Sequence, residues 1–421
     1  MLKEVSNVVV TGLGTVTPFG EDVSVFWSAM LAGQSAVAQI ERFDTRTFPV
    51  TIAAEVKNFD VDKYLERREY RMMDRFVQYA VVAAQQAWQD AGLPAARGGG
   101  LDSDRVGVAI GSGVGGSGSF QEHAALLAQG GVKAVPPFHL PMFLPNMATA
   151  QVSIQFGATG PTTTVATACA AGANSIGDAF RMIERGDADV VLAGGSEAAL
   201  HPMGLAGFCT ARALSRRNSD PAGASRPFDS GRDGFVLGEG AAVLILESEE
   251  HARARGARVY AQLAGYASTA DAFNTTMPAP DGAGAARCMR LALRDAGLTP
   301  ADVDYINAHG TATKLGDRAE THAIKSVFGD HAYRLACSST KSMTGHLLGA
   351  SGAVEAAICA LAVHHDRLPP TINLSEPEAE CDLDYVAGSS RAVPTRVAMS
   401  NSFAFGGHNA SLVFVEAAPV D

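Results

Sequence analysis

The sequence predicts an α/β protein made of two similar halves, on three observations. Short apolar runs that end in small or polar residues recur along the 421 residues, as expected for buried strands of α/β layers. Helical stretches alternate with these runs. A strand, a reactive residue, a buried helix and another strand follow one another near 163–195, and a similar arrangement occurs near 335–374. We therefore expect an internal duplication, with α/β halves at 1–255 and 256–421.

The predicted strands are apolar runs bounded by small or polar residues. In the first half they are 8–10, 106–110, 163–167, 190–193 and 241–246, and in the second half 305–307, 335–338, 397–400 and 412–415.

Two helices are evident from their side-chain patterns. Apolar Ile176, Ala179, Phe180 and Ile183 fall at i, i+3, i+4 and i+7, which predicts an amphipathic helix that ends at Gly186. The stretch 349–364 is small and apolar on nearly every face and predicts a fully buried helix. A stretch rich in Pro, Gly, Ser and Arg, 219–232, predicts a surface loop.

Composition excludes several classes of protein. Apolar residues make up 47% and charged residues 18%, which suits a large folded core. The net charge of −11 disfavours nucleic-acid binding. The six cysteines are widely spaced without a CxxC pair and predict free thiols in a reducing cytosol. We find neither a signal peptide at the N-terminus nor an apolar run near the ~18 residues of a membrane span, so we expect a cytoplasmic protein.

Cys169 is the first candidate for chemistry. It lies in the segment 167–172, where a strand ends and a helix begins. A thiol at a helix N-terminus sits at the positive end of the dipole, which stabilises the thiolate. The alternative is a buried structural cysteine, which is common for free thiols. The other five cysteines lack this setting.

Three further segments carry candidates, each with a plainer alternative. His309 follows a strand and precedes Gly310, so it points into a cleft unless it is a satisfied surface or core histidine. Lys341 and His346 lie five residues apart before the buried helix and are candidates for chemistry. The plainer alternative is a polar loop that caps this helix through Thr344. The segment 401–409 contains a Gly pair that could aim N–H groups at an oxyanion, or forms a hairpin turn with core Phe residues.

The run 111–116 fits GxGxxG after a strand, which would signal a dinucleotide site. The next ~20 residues do not offer the second strand and acidic residue that a ribose contact requires. A Gly-rich turn beside a pocket explains the run better than a nicotinamide site.

Together and in this order, Cys169, His309, Lys341, His346 and the Phe-Ala-Phe-Gly-Gly segment at 403–407 resemble the β-ketoacyl-acyl carrier protein synthases, especially the elongation type of bacterial fatty acid synthesis. The resemblance runs from residue 8 to 409 and implies a thiolase-like fold with α-β-α-β-α layers. His408 departs from the pattern, because many members carry Thr there. Thiolases use a second Cys, initiating synthases use Cys/His/Asn, and chain-length factors lack the Cys.

The resemblance implies a ping-pong condensation without metal, flavin or nicotinamide, because loss of CO₂ drives it. Cys169 would carry the acyl group, and the backbone N–H groups of Cys169 and Phe405 would form the oxyanion hole. His309 and His346 would stabilise the enolate of a malonyl unit as neutral donors. Lys341 would hold His346 neutral and oriented, or tune the field.

The resemblance also assigns residues to binding. Substrate binding falls to Val114, Thr276, Thr311, Thr313 and Phe403, with Val114 gating acyl chain length near Phe405. Because the chain has a net charge of −11, an acidic acyl carrier protein, which brings the phosphopantetheine, needs local positive charge to dock. Arg67, Arg68 and Arg71 cluster in sequence and Arg212 matches a docking residue of the family, so we expect docking there unless these are ordinary solvated arginines. Some members bind a structural monovalent cation, and the residues that resemble its ligands are Asn307, Glu355, Ser400 and Asn401. A homodimer is expected. The alternatives are a polyketide-type ketosynthase and a catalytically silent partner subunit.

Overall fold

The computed structural model describes residues 6–94 and 98–417. The first residues, on which the expectation of no signal peptide rests, lie outside the described residues. The strands are β1 (Val8–Val16), β2 (Ala38–Gln39), β3 (Ile52–Ala53), β4 (Val106–Gly111), β5 (Thr162–Thr163), β6 (Val190–Glu197), β7 (Gly240–Ser248), β8 (Ala261–Ala270), β9 (Tyr305–Asn307), β10 (Ala336–Ser338), β11 (Arg367–Leu368), β12 (Arg391–Ala392), β13 (Val397–Ala404) and β14 (His408–Val415).

The helices alternate with these strands. They are α1 (Val23–Leu31), α2 (Arg67–Tyr70), α3 (Arg75–Asp90), α4 (Ser117–Gly130), α5 (His139–Phe143), α6 (Met147–Phe156), α7 (Ala171–Glu184), α8 (Pro202–Thr210), α9 (Glu249–Ala254), α10 (Ala283–Asp295), α11 (Lys314–Phe328), α12 (Lys341–Thr344) and α13 (Ser351–His365).

The sheet topology confirms the predicted duplication. In the described part of the chain, the main sheet has the strand order β10-β9-β13-β14-β8-β1-β7-β6-β4-β5. The first half contributes β5-β4-β6-β7-β1 and the second half contributes β10-β9-β13-β14-β8, so each half repeats three parallel strands followed by two antiparallel ones. The halves join where β1 pairs antiparallel with β8. The division near 255 falls between α9 and β8 and stays a prediction.

The layers follow from where the apolar faces lie. α3 and α6 cover the outer face of the first half, and α10 and α11 cover the outer face of the second. α7 and α13 each contact strands of both halves, so they form the central layer. The α-β-α-β-α arrangement is confirmed.

The two central helices are buried as predicted. Ile176, Ala179, Phe180 and Ile183 are all buried on α7. α13 is buried from Ser351 to Val363. By length and composition, the window Leu348–His365 is apolar enough to cross a membrane, contrary to our expectation that no such run exists. It is a core helix of this protein, because 89% of the window is buried.

Several local expectations are wrong. β5 covers only two residues. The strand expected by 374 is the two-residue β11, which pairs with β12 outside the main sheet, and the next strand of the main sheet, β13, begins only at Val397. The stretch 219–232 is not simply a surface loop, because Phe228 and Arg232 are fully buried. The Arg232 guanidinium pairs with Asp317 at 3.3 Å and with Glu378, as a buried cation requires. Thr344 does not cap α13, whose N-cap is Ala350.

Candidate active site

Cys169 lies where the first half of the fold turns toward the central layer. A 3-10 turn, Ala168–Ala170, leads directly into α7, and Cys169 is only 9% exposed. Ala168 adopts a left-handed backbone with φ 49°, which is strained for a residue with a Cβ. The tight turn presents the thiol at the N-terminal end of α7, where the sequence placed it.

The thiol contacts the other candidate residues directly. His346 Nε2 lies 3.1 Å from Cys169 Sγ, across 177 residues of chain. Burial raises the pKa of Cys169 to about 12, while Lys341 and the backbone N–H groups of Phe405 and Cys169 act in the opposite direction. The resting group is therefore a neutral thiol, and the same N–H groups are available to stabilise negative charge.

Two imidazoles face each other in this site. The rings of His309 and His346 are 5.4 Å apart and nearly perpendicular, at 87°. Burial, then the charge of Lys341, holds the pKa of both imidazoles well below the ordinary value. Both rings are therefore neutral near pH 7, which suits them to donate N–H groups.

Lys341 is buried and forms an ion pair with Glu355. Burial raises the pKa of Glu355 to about 7, and Lys341 opposes this rise. Lys341 lowers the pKa of both imidazoles, which fits both of its expected roles, and the choice between them stays a prediction. Glu355 thus has the partner that a carboxylate in an apolar helix requires.

The glycine pair shapes the loop that carries Phe405. Gly406 and Gly407 have φ of 83° and 73°, in the left-handed region that favours glycine. The Gly406 N–H donates to Thr275 O at 2.7 Å, which ties this loop to the neighbouring one. Phe405 is 39% exposed and its backbone N–H reaches the Cys169 thiol. The segment is a shaped loop and not a simple hairpin turn.

A cavity of about 700 Å³ connects the surface to Cys169. His309, His346 and Phe405 line it, and so do four of the predicted substrate-binding residues: Thr276, Thr311, Thr313 and Phe403. Val114 does not line this cavity and is 44% exposed. Its gating role stays a prediction.

The Gly-rich turn at 111–116 has its N–H groups occupied. Glu197, fully buried at the end of β6, accepts from the N–H groups of Gly113 at 2.7 Å and Val114 at 3.3 Å, and from Ser112 Oγ at 2.9 Å. A phosphate needs such N–H groups free. The turn therefore stabilises the fold and is not a dinucleotide site.

The predicted cation ligands meet only in part. Ser400 and Asn307 are register partners in adjacent parallel strands, and α13, which carries Glu355, packs against both strands. Asn307 Oδ1 and Glu355 Oε2 are buried without a hydrogen-bond partner among the described residues, which suits a cation. Asn401, one residue on from Ser400, points to the opposite face of the sheet, where it contacts Met289 and Ser411. Its side chain therefore cannot join the other three.

The arginines predicted to dock the carrier protein are exposed. Arg212 lies at the mouth of the cavity, where Lys314 also lines the wall. Arg67 and Arg68 lie on α2 and Arg71 follows it, away from the cavity lining; Arg68 pairs with Glu66 at 2.8 Å.

Three residues of the site were missed by the sequence analysis. Glu320 accepts from the N–H groups of His309 and Gly310 at 2.8 and 2.7 Å. Ser351 Oγ lies 2.9 Å from His346 Nδ1. The third is Glu197. Its position at the end of a buried apolar run is a signal that the sequence analysis could have used. Nothing in the local sequence marks Glu320 or Ser351.

Comparison with known proteins gives consistent matches along the chain. The model of the beta-ketoacyl synthase N-terminal domain matches residues 5–252, and that of the C-terminal domain matches 260–375. The chain is similar to 3-oxoacyl-[acyl-carrier-protein] synthase 2 of Synechocystis sp., at 51% identity over 98% of both chains. It is also similar to the synthase of the same name from Coxiella burnetii, at 50% identity over 97% of this chain and 98% of that one.

Solved structures agree in fold. A beta-ketoacyl synthase from Burkholderia phymatum has a TM-score of 0.91 and 37% identity, covering 98% of this chain and all of that one. A type II PKS ketosynthase, solved in complex with its acyl-carrier protein, has a TM-score of 0.91 and 36% identity with the same coverage.

Proposed function

Because the chain belongs to the beta-ketoacyl synthase family, we propose that it catalyses the decarboxylative condensation that lengthens acyl chains in fatty acid synthesis. The observation that carries this proposal is the 3.1 Å contact between Cys169 Sγ and His346 Nε2 at the end of a deep cavity, with His309 beside it. A nucleophile and two neutral donors are the groups the reaction requires. The relatives at about 50% identity are synthases of this kind. The intact Cys169 site argues against a catalytically silent partner subunit.

In the first half-reaction, Cys169 sulfur attacks an acyl thioester on the carrier protein. A new S–C bond forms on Cys169, the old thioester bond breaks, and the thiol proton ends on the departing pantetheine sulfur. The N–H groups of Cys169 and Phe405 stabilise the oxyanion of the tetrahedral intermediate.

In the second half-reaction, the malonyl thioester of the carrier protein enters the same cavity. The bond between the malonyl α-carbon and the carboxylate breaks and CO₂ leaves. The electron pair of that bond forms an enolate, which His309 and His346 stabilise. The enolate carbon attacks the acyl carbonyl on Cys169, and the Cys169 sulfur leaves and takes up one proton from solvent, because loss of CO₂ supplies none. The product is a 3-oxoacyl carrier protein two carbons longer.

The experiment that tests this function is a condensation assay with purified protein. Malonyl carrier protein is mixed with acyl carrier proteins of increasing chain length, and the products are identified by mass spectrometry. We expect saturated acyl substrates of several lengths to give 3-oxoacyl products. Because a structural relative is a polyketide ketosynthase, that activity is the second candidate. Rejection of simple long-chain substrates would favour it over fatty acid elongation.

We propose that the acyl carrier protein docks on exposed basic side chains at the cavity mouth, where Arg212 lies, and around α2. A net charge of −11 repels an acidic partner at long range, so local positive charge is needed for encounter. Exposed arginines at 67, 68, 71 and 212 supply it.

Reversing Arg67 and Arg68 to Glu should raise the KM for acyl carrier protein substrates by about tenfold. The KM for a small acyl-CoA should not change, because such a substrate does not need the protein surface. The matched control reverses Arg290 and Arg294, two exposed arginines on α10. An equal rise in KM for both kinds of substrate would count against docking at α2.

We propose a homodimer in which the surface around β5 meets a second copy. β5 ends the main sheet, so its outer edge can accept another strand. α6 packs beside β5, α5 packs against α6, and α4 packs against α5. Large exposed apolar residues are concentrated on this surface: Phe120, Leu127, Val132, Leu140, Leu144 and Ile154. A sheet edge combined with an apolar patch fits a symmetric copy better than a small partner.

Leu140→Asp should weaken this dimer, because a charge would be buried in the interface. Leu140 is 62% exposed in the single chain. We expect sedimentation velocity at micromolar concentration to show a dimer for the original protein and monomer for the variant. The control is Val25→Asp, which changes an apolar residue that is 52% exposed on α1. If Leu140→Asp sediments as the original protein and Val25→Asp do, the proposed interface would be contradicted.

A cytoplasmic location is also proposed. All six cysteines are free thiols, as expected from the sequence, and a reducing compartment keeps them so.

A further inference from the structure

We infer that Ser351 is a positioning residue that determines which nitrogen of His346 carries the proton. The inference rests on the proposed condensation, in which Nε2 of His346 must donate a hydrogen bond to the enolate oxygen. A neutral imidazole carries one proton, and only the tautomer with that proton on Nε2 can act as this donor.

The contacts connect Ser351 to the reacting sulfur through one ring. His346 Nε2 lies 3.1 Å from Cys169 Sγ, and His346 Nδ1 lies 2.9 Å from Ser351 Oγ. The backbone N–H of Leu347 donates to the same Oγ at 2.9 Å. Ser351, Leu347 and His346 are all buried.

The direction of the Ser351–His346 bond follows from counting protons. A serine hydroxyl has one proton to donate and two lone pairs that accept. The Leu347 N–H already uses one lone pair, and the described residues offer the hydroxyl no acceptor other than Nδ1. A bond donated by Nδ1 instead would leave the buried hydroxyl proton unpaired, which is costly. The hydroxyl therefore donates to Nδ1, and the ring proton lies on Nε2.

The second imidazole of the site lacks such a partner. His309 Nδ1 is buried without a hydrogen-bond partner among the described residues. Lys341 disfavours the charged form of both rings, but a neighbouring charge does not by itself choose between two neutral tautomers. Ser351 thus gives His346 a defined tautomer that the structure does not impose on His309.

This assignment has a consequence for the first half-reaction. With its proton on Nε2, His346 cannot accept the Cys169 proton at that atom. It can donate to the sulfur as negative charge develops, and later donate to the enolate oxygen. One tautomer therefore serves both steps, without a ring flip between them.

Neutron diffraction of the original protein in D₂O tests the tautomer directly. We expect deuterium on His346 Nε2, and the Ser351 hydroxyl deuterium directed at Nδ1. Deuterium on Nδ1 would overturn the inference, whatever the variants do. Because this measurement does not depend on turnover, failure of the condensation assay would refute the proposed function without altering the observed tautomer.

Variants supply the functional readout. Ser351→Ala should lower malonyl decarboxylation roughly tenfold, which is about the effect of one lost hydrogen bond, and Ser351→Thr should restore it because the hydroxyl returns. Ser342→Ala, which removes a buried hydroxyl from α12, is the matched control and should leave decarboxylation near the original rate. Thermal denaturation of each variant identifies losses that come from unfolding. A folded Ser351→Ala with unchanged decarboxylation would contradict the positioning role.

Discussion

Cys169→Ala should lower condensation by at least about 10⁴-fold, in line with the loss of a covalent nucleophile in other enzymes. No other thiol contacts His346 in the described part of the chain. Cys169→Gln should also lose condensation but keep malonyl decarboxylation. His309, His346 and Lys341 all remain in that variant, and the Gln carbonyl can accept the N–H of Phe405 as an acyl carbonyl would.

Two measurements check this prediction. Mass spectrometry of the intact protein after incubation with acyl carrier protein should show an acyl adduct on the original protein and none on either variant. Release of CO₂ from malonyl carrier protein should persist in Cys169→Gln. Cys209→Ala removes another buried cysteine and should leave both readouts unchanged. An acyl adduct on Cys169→Ala would refute the assignment of the nucleophile.

The sequence predicted Cys169 and His309 because each follows a predicted strand and has small neighbours, whereas His346 was predicted from its place beside Gly345 before the buried helix and from the family resemblance. Such local patterns report where a chain turns, and turns at strand ends are where side chains enter a cleft. Ser351 and Glu320 carry no comparable signal. Their roles depend on which groups the folded backbone brings together, such as the His309 N–H and Glu320, and not on the residue types beside them.

The fold shows the same division between local and long-range information. α7 was predicted from its apolar stripe and α13 from its lack of a polar face, and both are buried. The short strand β5 was overestimated because the residues after it turn toward Cys169. Arg232 was assigned to a surface loop because its partners Asp317 and Glu378 are more than 80 residues away. Composition alone cannot show that a charged residue will be neutralised by distant carboxylates.

His346→Ala should lower decarboxylation by about 10²–10³-fold, the usual effect of losing one oxyanion donor. The enolate forms only in the second half-reaction, so the donor matters most there. Acyl transfer to Cys169 should fall less, by about tenfold, because the variant still loses the 3.1 Å contact with the sulfur.

The two half-reactions can be measured separately to test this division. Acyl transfer is followed by the mass of the acylated protein in single turnover, and decarboxylation by CO₂ release in a His346→Ala, Cys169→Gln double variant compared with Cys169→Gln alone. His364→Ala removes a histidine at the end of α13, away from the cavity lining, and should change neither rate. The pKa of His346 is held well below its ordinary value by burial and by Lys341. The donor therefore stays neutral near pH 7, and the deficit should persist across neutral pH. Equal losses in both half-reactions would contradict this division, because His346 would then support acyl transfer to Cys169 as much as it supports enolate formation.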